Sequence, residues 1–116
     1  MNLTATKQIY CVTAGANTVY VIFPEEVMLV KGSAVCSASQ GSTKTIVIAK
    51  PSGSTIISGT LSATGGTAVD LTTTATAAYR QQKAKVFSVV IDLTGGTVPC
   101  MVDIALEIDP FERLIA

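Results

Sequence analysis

Cys100-Met101-Val102-Asp103-Ile104-Ala105-Leu106-Glu107-Ile108 alternates apolar and polar positions without a slip. Cys100, Val102, Ile104, Leu106 and Ile108 share one face; Met101, Asp103, Ala105 and Glu107 share the other, and Asp109 continues it. A period of two is the mark of a strand with one face on a core and the other in water or against a polar partner. Val102, Ile104 and Leu106 are therefore expected inside. The preceding run, Lys85 to Asp92, reads as a strand as well, and Thr94-Gly95-Gly96 supplies the turn between them.

Working back toward the N-terminus, short apolar runs and turn residues keep alternating. Gln8–Thr13 is closed by Ala14-Gly15-Ala16-Asn17. Thr18–Phe23 is expected to stop at Pro24, which has no N–H for a ladder. Val27–Val30 follows, and Gly32 suggests a bulge before Ala34–Ala38. Gln40-Gly41-Ser42 turns the chain into Thr43–Ala49, Pro51-Ser52-Gly53 into Ser54–Leu61, and Gly65-Gly66 into Thr67–Thr72. Composition agrees with the pattern. Val, Ile and Thr number 13, 10 and 16, outweighing the 26 Leu, Met, Glu, Gln, Lys and Arg residues that favour helices.

The segment 73–82 breaks the rhythm, and Ala75–Gln82 has the makings of one or two helical turns. It reads as a crossover between two sheets. Asp109-Pro110-Phe111-Glu112 is a helix start, with a capping acceptor, Pro at the first position and Glu behind it. The expected fold is all-β: an antiparallel two-sheet β-sandwich, jelly-roll-like, of about eight strands. A short helical crossover and a short C-terminal helical turn complete it. The 116 residues make one domain, 1–116, with an N-terminal arm at 1–7 and a C-terminal tail at 109–116.

The charges exclude several functions. Eight basic residues balance eight acidic ones with no basic block, so no nucleic-acid partner is expected. Charged residues make up 14% of the chain, against about 25% in an average soluble domain. So sparse a charge protects poorly against association, which suits a subunit of an assembly. No apolar run is long enough to span a bilayer and none resembles a signal peptide, so no membrane partner and synthesis in the cytosol are expected.

Chemistry finds little to work with. The chain has no His, so its nine serines and three cysteines lack the usual activating base. Cys11, Cys36 and Cys100 are an odd set without a CxxC pair. They read as small buried hydrophobes in a reducing compartment, not as a disulfide framework or zinc site. The glycine-containing run 53–60 has neither the spacing nor the Lys of a phosphate loop. Asp103 and Glu107 share a strand face but stand about 13 Å apart along it, too far for a catalytic pair. Catalytic, cofactor and metal residues are all expected to be none, and the chain is expected not to be an enzyme.

The aromatic residues are few. Tyr10, Tyr20, Phe23 and Phe87 fall in strands where core packing accounts for them, leaving Tyr79, beside Arg80, as the plausible exposed ring. Phe111, Leu114 and Ile115 crowd the tail with apolar surface. These five residues, Tyr79, Arg80, Phe111, Leu114 and Ile115, are the candidate interface.

The runs Lys44–Ala49, Ser54–Leu61 and Gly66–Thr72, with the final Asp103–Pro110, resemble in style the small decoration, or cement, proteins of tailed-bacteriophage capsids. The resemblance covers residues 43 to 110. It implies a non-enzymatic virion protein, assembled in the host cytoplasm. Such a protein is commonly a homotrimer, and it stabilises the shell from outside through the major capsid protein. Two alternatives stay open: another phage part such as a head-fibre base or tail protein, or a β-sandwich module that binds a ligand or glycan.

Overall fold

The computed structural model describes residues 3–51, 55–72 and 83–109. These form seven strands: β1 (Leu3–Cys11), β2 (Ala16–Cys36), β3 (Lys44–Ala49), β4 (Thr55–Leu61), β5 (Val69–Thr72), β6 (Ala84–Asp92) and β7 (Cys100–Asp109). All pairings are antiparallel, in the order β1-β7-β2-β6-β3-β4, with β5 on β2. The all-β expectation holds, and no described residue is helical.

The sheet is one curled half-barrel. Its central element is β2, 21 residues long. Three expected strands, Thr18–Phe23, Val27–Val30 and Ala34–Ala38, are merged in it, so the nine runs of the sequence make seven described strands. Pro24 does not end the strand. The β2–β6 register jumps between Ile22 and Val27, so Pro24 sits in a stretch that owes the ladder no N–H. Beyond it, β2 leaves β6 and pairs with β7 from Met28 to Cys36, and with β5 from Lys31 to Ala34. A bent strand thus carries the chain around the curl, the task expected of the 73–82 crossover. That segment and the C-terminal helical turn lie outside the described residues.

Two more corrections concern local structure. The bulge in the second half of β2 falls between Leu29 and Lys31, not at Gly32. Gly32 is needed for another reason: a Cβ there would stand 2.9 Å from the Ala105 carbonyl oxygen and 3.0 Å from Leu106 Cδ2. The supposed arm 1–7 is strand from Leu3 onward, with Leu3 opposite Ile108 and Lys7 opposite Ile104. Leu3–Gln8 buries no side chain, so sequence periodicity has nothing to reveal it.

In β7 the expected face is inside: Cys100, Val102, Ile104, Leu106 and Ile108 are buried, and the alternate residues are not. They join Ile46, Ile48, Ile56, Ile57, Leu61, Leu71, Val89 and Ile91 in a single core. Each such side chain contributes about 1.5–3 kcal/mol by leaving water. Phe87 is fully buried and meets Phe23 edge to face, ring centres 5.9 Å apart.

One end of the sheet is closed by buried polar side chains. Gln40 Nε2 donates to the carbonyls of Ala38 and Thr97, and its Oε1 accepts from the Thr97 amide. Lys44 Nζ donates to Ser42 Oγ at 2.8 Å and to the Thr94 carbonyl at 2.9 Å. A buried ammonium survives because these oxygens replace its water. The turns they hold, at Gly41 and Gly95, use the left-handed backbone that glycine adopts without strain.

Candidate functional site

The outer surface of the curl has two contrasting parts. The first is the outward face of β5, β2, β7 and β1. Asp70 lies opposite Ser33, Ser33 opposite Ala105, and Ala105 opposite Thr6, so a row of short side chains crosses the strands. Longer ones stand on both sides: Lys31, Glu107 and Thr4 along one, Val35, Asp103 and Gln8 along the other. The result is a transverse trough with two hollows, of about 350 Å³ beside Lys31 and Glu107 and about 710 Å³ beside Gln8 and Asp103.

The expected carboxylate row lies here. Asp103 is exposed, while Glu107 is less so and pairs with Lys31 Nζ at 3.6 Å. Asp92 is elsewhere, at the end of β6, where Oδ1 accepts from the Thr94 hydroxyl at 2.6 Å and the Thr94 amide at 2.9 Å. Those two hydrogen bonds, aided by the charge of Lys44, hold its carboxyl below the ordinary carboxylate range. The trough sets Lys31 with Asp70, Asp103 and Glu107 around a floor of methyl and hydroxyl groups. Its mixed charges and hydroxyls can hold a polar segment.

The second part is the outward face of β2, β6 and β3. Tyr20 lies opposite Ser88, Ile22 opposite Val86, and Thr18 opposite Val90, which in turn lies opposite Val47. Tyr20 is 54% exposed and Ile22 72%. Tyr10 and Val12, near the end of β1, are also exposed. Tyr10 and Tyr20 were expected in the core; the register turns both outward, while Phe87 goes inward as expected. Alternation from Val19 to Phe23 could have shown this, because Val19, Val21 and Phe23 already form the inward set.

The cysteines meet inside the sheet. Cys11 lies directly opposite Cys100 across β1 and β7, and Cys36 follows on β7's other side, opposite Val102. All three are buried free thiols, as expected of small hydrophobes. Burial, with the neighbouring Cys100 and Cys36, pushes the Cys11 thiol up to about 11, and burial also raises Cys36 and Cys100. Thiols held protonated are poor nucleophiles and poor metal ligands. Among the described residues, no group of three or more Cys, Asp or Glu side chains is arranged to hold a metal ion.

The five candidate interface residues, Tyr79, Arg80, Phe111, Leu114 and Ile115, all lie outside the described residues. The exposed apolar surface that is described sits instead on β1 and the first half of β2. No family model matches the chain, and neither a curated protein nor a solved structure matches it.

Proposed function

We propose that the chain is a non-enzymatic structural protein that binds the outside of a bacteriophage capsid and stabilises it through the major capsid protein. The supporting observation is the outward face of β2, β6 and β3, where Tyr20, Ile22, Val86, Val90 and Val47 meet water with little charge around them. Surface of this kind serves contact with protein. In this reading the curl is a flattened sandwich whose two layers share β2, the chain forms a homo-oligomer, a trimer by the resemblance, and it works in the virion. Nucleic acid and membrane are not among its partners.

Mass spectrometry of purified virions tests the proposal. The expected result is this chain at a copy number comparable to that of the major capsid protein. A few copies per particle would make it a head-fibre or tail component, and absence would overturn the proposal.

The exposed rings of Tyr10 and Tyr20 favour a second reading, a module that binds a glycan or other ligand. It requires glycan-array binding that Tyr10→Ala or Tyr20→Ala abolishes.

A further inference from the structure

Unpaired strand edges invite other strands, and proteins usually guard them with charge, proline or a covering element. The open edge of β1 has Lys7 at its midpoint. β4, at the far end of the strand order, runs beside β5. Among the described residues, the first part of β2, Ala16–Ile22, has neither a charge nor a covering strand. Ala16–Ile22 pairs with β6 along one edge, while β7 takes the opposite edge of β2 only from Met28 onward. Among the described residues, no strand pairs with that second edge of Ala16–Ile22.

The side chains make the edge adhesive. From Gln8 to Pro24 none is charged. Thr18–Phe23 is a run of β-branched and aromatic residues without Gly or Pro, the composition that pairs strand to strand most readily. Tyr20 and Ile22 stand exposed along it.

We propose that this edge joins two copies of the chain, their β2 strands pairing antiparallel about a two-fold axis at Val19. Val19 is the midpoint of the open segment, so this register pairs all of it. Ile22 then faces Ala16 of the second copy and Tyr20 faces Thr18, a large side chain against a small one each time. No like charges meet. The same operation on β1, about its own midpoint, would set Lys7 against Lys7, which is destabilising. Identical copies can therefore share the β2 edge but not the β1 edge. The contact is isologous, so it closes on itself and does not propagate into fibres. The proposal does not depend on the capsid reading; within that reading, a two-fold contact lies between trimers and not inside one.

Cysteine pairing tests the register. Thr18→Cys and Tyr20→Cys chains are prepared separately, mixed, and oxidised mildly; the native thiols are buried and stay silent. Directly opposed residues have Cα atoms about 4.5–5.5 Å apart, inside the disulfide range. A residue and its own symmetry mate at these positions are diagonal neighbours about 7–8 Å apart. The mixture should yield covalent dimer and neither variant alone should. No dimer in the mixture, or equal dimer in the single-variant samples, overturns the proposed register. Light scattering on the unmodified chain provides the second measurement. The mass of an even number of chains is expected, two where this is the sole contact and six where trimers also form, with Tyr20→Lys weakening association at least about tenfold and leaving the far-ultraviolet circular dichroism unchanged. A monomer at every concentration, or a folded Tyr20→Lys chain that associates as before, overturns the interface.

Discussion

Two outward faces of one sheet carry opposite chemistry. On the face of β5, β2, β7 and β1, the side chains of Lys31, Asp70, Asp103 and Glu107 stand around the trough. On the face of β2, β6 and β3, aliphatic and aromatic side chains stand in the same kind of position, and Asp92 lies at the margin. The cores beneath are alike, with Leu106 and Phe87 both fully buried. Burial therefore does not separate the two regions; the outer layer does. One outer layer is charged and the other apolar, and under the proposed function it is the apolar one that protein covers.

If the halves are one cooperative unit, removing bulk from either core must unfold both. Phe87→Ala under the apolar face is expected to cost about 3–5 kcal/mol, and Leu106→Ala under the charged face about 2–5 kcal/mol. Denaturant titration followed by a probe in each half should give coincident transitions. Separate transitions would break the molecule into two independent regions.

A smaller effect is expected at Gly32, where β2 lies tightly against β7. Gly32→Ala drives a methyl toward the Ala105 carbonyl and should destabilise by about 1–3 kcal/mol, read from the shift in denaturation midpoint. No shift would mean that the charged half yields more easily than its spacing suggests.

Smaller again is the cost of altering the charged face itself. Lys31→Ala breaks the pair with Glu107, but Lys31 is 68% exposed, so at most about 1 kcal/mol is at stake. An equally small stability change is expected for Tyr20→Lys on the other face, which should lose association instead. A Lys31→Ala chain that lost association while Tyr20→Lys kept it would reverse the assignment of the two faces.

The smallest effect is confined to acid. Asp92 is held below its unfolded value of about 3.9 by Thr94, so its contribution is fully present above that pH and disappears as pH falls through the lower folded value. Asp92→Asn should flatten the acid end of the stability–pH curve and leave neutral pH nearly unchanged. Parallel curves for the two proteins would show that the Thr94 turn carries no linkage.

What could be read from the chain follows from how much each segment buries. β7 was legible because each alternate residue is core. The turns were legible where the backbone needs glycine, at Gly41 and Gly95. The first half of β1 was not, since a strand with both faces exposed has no period to display. Pro24 misled because a proline inside a register break looks, in sequence, like a proline that ends a strand. The meeting of Cys11 with Cys100 was equally hidden, because it depends on strand order and not on any local signal. For the candidate site, charge scarcity gave no position, and the apolar surface described lies on Tyr10, Tyr20 and Ile22.

The pairing of β1 with β7 also sets a timetable. Leu3 waits for Ile108, and Cys11 for Cys100, so β1 finds its neighbour only after synthesis has passed Asp109. Until then Leu3–Cys11 has no partner strand, while Ala16–Ile22 waits only for β6, which ends at Asp92. Pairings so distant in sequence close slowly, and chains caught before closure are prone to sticking. The hazard is greatest during translation, and holding chaperones would relieve it most at that stage.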